Sequence, residues 1–312
     1  MMQFEHRTRS PEFWLILCTI CLLSVFYYGI RAAAVLGLAA VTAVLTDFFC
    51  LFLQKKAYHT VDLCNAASAV VMALLFPATI PYSIVILSTV FLVAIGIHAF
   101  GSRGSYLFPP AAVGYLFALI CWKQEVLLFP QAGQRLALFG NQVQRTASLS
   151  QDIFAQGALR LDMLDFFMGA FPSPMGAGCI LLLLVGLFIL LLRRKLSYWA
   201  FFGFVLSISL FSLIGHFPAV LLFSGNMLLF ALVFLMGDMA EQLKNSYFLL
   251  LAGAITGLVT WFLLEYARLE YGVVIAMLLT SPLWHLLAAA EKALLQRKEQ
   301  RKAALAETEE QA

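Results

Sequence analysis

Residues 101–115, GSRGSYLFPPAAVGY, lie between two apolar segments and combine Gly101 and Gly104 with Tyr106, Phe108 and the pair Pro109-Pro110. Glycine lets a backbone approach a ligand closely and proline stops a helix, and in lipid such irregular backbone survives only where protein covers it or where it lines a cavity. The plainer reading is a connecting loop and a helix started by Pro110. A second set of residues is ionisable: Asp47, Asp62, His98, His216, Asp238, Glu241, Glu265 and His285 lie in or beside apolar runs. Such groups are costly at membrane depth and default to ion or substrate paths. Asp62, with Asn65 and Ser68 one and two turns on, and Asp238, next to Gly237 in a polar break, are the ion-path candidates. Asp47, Glu265 and His285 read as interfacial or snorkelling groups near segment ends. The run Arg145-Thr146-Ala147-Ser148-Leu149-Ser150 is rich in hydroxyls and, taken alone, is a solvent-facing loop. No nucleophile–base pair, phosphate-binding glycine fingerprint or HExxH is present, so no residue takes a catalytic or metal-binding role.

The elements that must hold these residues are membrane helices. Of 312 residues, 62% are hydrophobic and only 12% are charged, against about 25% charged in soluble domains. Mean hydropathy is +0.90, and the net charge of +3 is too small to argue for nucleic acid as a partner. Spans are predicted at 13–29, 32–53, 62–77, 82–100, 110–122, 177–192, 196–214, 217–236, 246–265 and 270–290, most near the ~20 residues a bilayer needs. The six cysteines fall in or beside these runs and read as buried, inert thiols. The polar N-terminus and long first run suggest no cleaved signal peptide.

Ten spans place both termini on one side, and 14 of the 20 Lys and Arg residues fall on that side, which makes it cytoplasmic. The chain divides into 1–122, a first five-helix repeat; 123–176, an extracytoplasmic loop; 177–290, a second five-helix repeat; and 291–312, a charged cytoplasmic tail. Five spans per half force inverted topology, with a shared site between the halves. Each half has a polar break between its fourth and fifth spans, at 101–110 and 237–245. The expected fold is an all-α polytopic membrane protein of about ten transmembrane helices in two inverted five-helix repeats.

The collinear order of several segments resembles the family of the D subunit of Rnf-type ferredoxin:NAD oxidoreductases and the B subunit of sodium-translocating NADH:quinone reductases. Arg9-Ser10-Pro11 is similar to that family's Ser-Pro-His start. Asp62 through LLFPATIP resembles its Asp-Gly-Ser…Leu-Pro-Pro segment. Gly101, Gly104, Phe108, Pro110 and Ala111 match its Gly-Gly-x-Gly-x-Asn-x-Phe-Asn-Pro-Ala. DMLDFFMGAFPSPMG, from Asp162, and Leu222 to Gly225 are similar to two further family segments.

The resemblance implies a non-autonomous subunit of an ion-translocating oxidoreductase in a bacterial cytoplasmic (inner) membrane, with other subunits of the complex and the lipid bilayer as partners. It implies FMN held covalently in the outer loop on Ser148 or Thr146, and a second, non-covalent flavin bordered by Gly101, Gly104, Phe108 and Pro110. Asp62 and Asp238 would lie on the ion path. The chain departs from the family pattern where Arg145-Thr146 replaces Ser-Gly, where residues 105–110 contain no Asn, and where only Asp238 remains of a Thr-Asp-Pro-Val-Thr-Ser-Pro run. A family-like scaffold with altered or absent flavin therefore stays open. So does a channel for a small neutral solute, since the arrangement and LLFPATIP also look like the urea-transporter fold.

Overall fold

The computed structural model describes residues 10–56, 63–102, 105–131, 133–139, 143–148, 163–169, 171–215, 227–240 and 242–310. Asp62, Gly104, Asp162, His216, Glu241 and the segment 222–225 lie outside them.

Helices form at the apolar runs and start where local chemistry allows. Helix α1, Pro11–Tyr28, has Pro11 in its first turn, and its Ser10 side chain accepts from the Phe13 amide at 3.4 Å. The Ser10 cap satisfies one of the amides a helix start leaves unpaired. Helix α2, Ile30–Leu53, follows after Gly29 alone, whose φ of +75° and ψ of −159° only glycine adopts easily. Helix α3, Leu63–Leu74, has 12 residues and rises roughly 18 Å, too little for a ~30 Å hydrocarbon core. Non-helical chain from Leu75 to Ile80 continues it, and Leu75, Phe76, Ala78 and Ile80 are fully buried.

Helix α4, Tyr82–Phe91, widens into a π-helix over Leu92–Ala99. A two-stranded hairpin follows, β1 Gly101–Ser102 paired with β2 Ser105–Tyr106, then α5, Pro110–Cys121. The long connection holds α6, Lys123–Leu127, and the antiparallel strands β3 Phe129–Pro130 and β4 Arg145–Thr146. After α7, Met163–Met168, come α8, Ile180–Leu192, α9, Tyr198–Ser212, and α10, Leu228–Phe234. The chain closes with α11, Met236–Ala240, α12, Ser246–Glu265, and α13, Gly272–Glu310.

A helix covers at least part of every predicted span, and among the described residues five helices are long and apolar enough to cross a membrane. Leu22, Phe26, Phe52, Phe188 and Leu286 stand more than half exposed on the outer faces of these helices. An apolar exterior of this extent is what lipid contact requires and water disfavours. The fold is thus a helical, multi-pass membrane protein.

The tightest pairing is α9 against α12, which cross where side chains are smallest. A Cβ on Gly253 would lie 2.1 Å from the Ala200 carbonyl oxygen, and one on Gly203 would lie 2.3 Å from that of Leu250. Small residues let helix backbones touch, which is the main way helices associate in lipid. The parts before and after the long connection are also joined by main chain. Met175 N–H donates to Phe76 C=O at 3.1 Å and Gly176 N–H to Leu74 C=O at 2.7 Å, so two buried irregular segments satisfy each other. Backbone at this depth survives only if protein covers and pairs it.

The cysteines differ from the sequence expectation. None of the six is in a disulfide, Cys18 and Cys121 are exposed and the other four are half-buried. A thiol behaves as a small hydrophobe, so it is as suited to a lipid-facing position as to a core.

Candidate functional site

Polar side chains concentrate at the two ends of the bundle. At one end, α2 brings in Asp47, α3 Asn65, the π-helix His98 and strand β2 Tyr106. The wider turn of the π-helix, marked by the Phe100 amide bonding back to Ile95 C=O at 3.1 Å, carries His98 toward α2. Asp47 is 1% exposed. Its Oδ1 accepts from His98 Nε2 at 2.7 Å and from Asn65 Nδ2 at 3.2 Å. Gln54 Nε2 lies 3.2 Å from His98 Nδ1 and donates to it when the ring is the neutral Nε2–H tautomer. Tyr106 Oη donates to Asn65 Oδ1 at 2.9 Å and extends the network into the hairpin. Asp47 Oδ2 is buried and has no hydrogen-bond partner among the described residues.

The hairpin also reaches the later part of the chain. Tyr106 C=O accepts from Gln242 Nε2 at 3.2 Å and from His285 Nε2 at 3.0 Å. Leu107 C=O accepts from His285 Nε2 at 3.2 Å and from Ser281 Oγ. The two predicted polar breaks, 101–110 and 237–245, therefore meet, and neither is a continuous rod. Phe108 is half-buried with its ring edge-on to Phe100 at 5.7 Å, and Pro110 is buried at the start of α5. Gly101 pairs with Tyr106 across the hairpin. Asp238 lies half-buried in α11.

Asp47 and His285 correct the sequence reading. Neither snorkels: Asp47 is buried six residues before the end of α2, and His285 donates into the hairpin from well inside α13. Glu265, grouped with them, is 9% exposed.

At the opposite end the long connection folds against the α12–α13 turn. Ser148 Oγ donates to Glu270 Oε2, and both residues are buried. Burial pushes the Glu270 carboxyl up to about 7, opposed by the Ser148 hydrogen bond. Thr146 pairs with Phe129 in the β3–β4 ladder. Its Oγ1, Glu270 Oε1 and the hydroxyl of the fully buried Tyr115 have no hydrogen-bond partner among the described residues. Beside them Arg145 pairs with Glu125. The structure thus brings Ser148 and Thr146 to one end and Gly101, Phe108 and Pro110 to the other. Glu270 and Tyr115 went unsuspected because nothing in their neighbouring sequence marks them as polar partners.

These features define a multi-pass membrane protein with buried polar clusters at both ends. The family described as NQR2, RnfD, RnfE matches residues 5–292, and the chain belongs to that family. It is 25% identical over 320 residues to the D subunit of the ion-translocating oxidoreductase complex of Pectobacterium atrosepticum, covering 89% of this chain and 91% of that protein. Proteins of the same description match more locally. That of Actinobacillus succinogenes is 30% identical over 104 residues, covering 33% of this chain and 29% of the relative. That of Methanosarcina acetivorans is 28% identical over 109 residues, covering 33% of this chain and 36% of the relative.

Proposed function

We propose that this chain is a membrane subunit of an ion-translocating oxidoreductase complex, built as two inverted five-span halves with both termini cytoplasmic. It passes electrons across a bacterial inner membrane through flavin held in its outer loop. The observation that supports this most is the meeting of the two breaks, where Gln242 and His285 bond the Tyr106 carbonyl. Inverted-repeat transporters join broken segments in this way around a shared path. Family membership and the relatives from ion-translocating oxidoreductase complexes support a place in such a complex.

The residues present fit FMN at one place. Thr146 Oγ1 is shut away from solvent with no partner among the described residues, so an ester there would displace no hydrogen bond. Ser148 fits less well, because its hydroxyl already serves the buried Glu270 and a phosphate would bring a second negative charge beside that carboxylate. When bound, FMN supplies one- and two-electron transfer at its ring system. Thr146 would hold it, with the β3–β4 ladder fixing the position of Thr146. The inner hairpin does not fit a second flavin as it stands: the Tyr106 and Leu107 carbonyls are bonded by Gln242, His285 and Ser281, and the Phe108 ring packs on Phe100. Asp238 stays on the proposed ion path.

Denaturing electrophoresis followed by in-gel flavin fluorescence tests the anchor. Wild type and Ser148→Ala are expected to fluoresce and Thr146→Ala to be dark. A dark wild-type band removes covalent flavin. Purification of a tagged chain without other redox subunits removes the complex.

A further inference from the structure

Asp47 lies about one and a half turns before the end of α2, buried, with its hydrogen bonds all on one oxygen. A buried carboxylate needs a compensating charge or a proton. His98 is the only basic side chain bonded to it among the described residues, and its ring is 14% exposed. With Gln54 donating to Nδ1, the ring is neutral and the pair carries one negative charge. Gln54 is exposed, so its amide can turn and present its oxygen to a protonated Nδ1, and the pair then carries none. The geometry accommodates one added proton without moving the backbone.

The same donor set disfavours a metal cation. Hard cations take about six or more oxygen ligands. Asn65 commits its nitrogen to Asp47 and its oxygen to Tyr106, which leaves Asp47 Oδ2 as the free oxygen of the cluster. Other titratable groups on the packed elements are Cys50 and the exposed Lys55 and Lys56 from α2, Cys64 on α3, Tyr106 on the hairpin, and Glu12 at the same end of α1.

We propose that Asp47 and His98 together form a proton-binding site, with Asn65 and Tyr106 tying its charge to the hairpin that joins the two parts of the chain. The site makes the proton the ion moved, and in that respect it rests on the ion-translocating reading. One proton added at His98 cancels the net charge of the Asp47–His98 pair, weakens the hold of Asp47 on Asn65 and so loosens Tyr106. Tyr106 is the residue whose carbonyl the later part of the chain grips through Gln242 and His285.

Two measurements test it. Potentiometric titration of the purified complex counts protons taken up from about pH 8 to about pH 5, the range in which histidine pairs exchange. Asp47→Asn and His98→Gln are each expected to lose about one proton per chain, and the double variant no more than either single one, because the proton is shared. Additive losses, or no loss in Asp47→Asn, overturn the site. In sealed vesicles holding the complex, Asp47→Asn is expected to cut electron-driven proton movement at least tenfold, and Asp47→Glu, which keeps a carboxylate, to restore it. Uptake of radioactive sodium by wild type with no proton movement overturns the assignment to protons. A shared proton in the titration with no electron-driven transport at all refutes the redox reading while the binding site stands.

Discussion

Replacing Glu270 by Gln should reshape the pH dependence of stability. In the folded chain this carboxyl titrates near 7, against an ordinary 4.5, because it is buried between the long connection and the start of α13. At about 1.4 kcal/mol per tenfold change in proton affinity, the ionised form is roughly 3 kcal/mol less favourable in the folded state than in the unfolded one. Below about pH 4.5 both states are protonated and Glu270 makes its full contribution. That contribution is lost as pH rises through about 7, and above this the whole penalty applies. Gln keeps the oxygen that accepts from Ser148 and never ionises. The variant should therefore melt with wild type near pH 4.5 and be stabilised by up to about 3 kcal/mol at pH 8 to 9. Melting followed by tryptophan fluorescence reads both pH values, since the chain has 5 Trp and the Trp284 ring is fully buried. An equal offset from wild type at both pH values, or a variant less stable at pH 8, refutes the account.

Gly253→Ala places a Cβ 2.1 Å from the Ala200 carbonyl oxygen, so α9 and α12 must separate. The expected cost is about 3 kcal/mol, at the upper end for overpacking, seen as a lowered melting midpoint. Gly29→Ala forces an alanine to φ +75° and ψ −159°, at about 1–3 kcal/mol by the same assay. Tyr106→Phe removes the hydrogen bond to Asn65 at 2.9 Å and should cost about 1 kcal/mol while leaving the hairpin carbonyls in place. A melt unchanged by Tyr106→Phe would show that Asn65 is held by Asp47 alone.

Helix positions were legible because apolar runs of membrane length have few other readings. Pro110 marks a start that was read directly from the sequence. The breaks at 101–110 and 237–245 were also visible, from glycine, proline and charge. Their contact was not, because Gln242 and Tyr106 are 136 residues apart and no local pattern joins them. Asp47 was misjudged because distance to a segment end predicts snorkelling only if the residue faces outward, and α3 and the π-helix enclose this face of α2. The π-turn that brings His98 into range has no composition signal in Leu92–Ala99. Glu270 was lost for a different reason: a glutamate before a helix looks solvated until the loop carrying Ser148 closes over it.

The join at Leu74–Phe76 and Met175–Gly176 is written in peptide groups. Amides are the same at every position, so the seam survives wholesale exchange of side chains, and a relative sharing a quarter of its residues with this chain can keep the same closure. The exceptions are Gly176, where a Cβ would lie 2.6 Å from the Phe230 ring, and Gly178, where one would lie 2.7 Å from Ser173 Oγ. A library randomised across 171–179 should favour glycine at those two sites, exclude proline at 175, whose N–H makes the join, and accept many letters elsewhere.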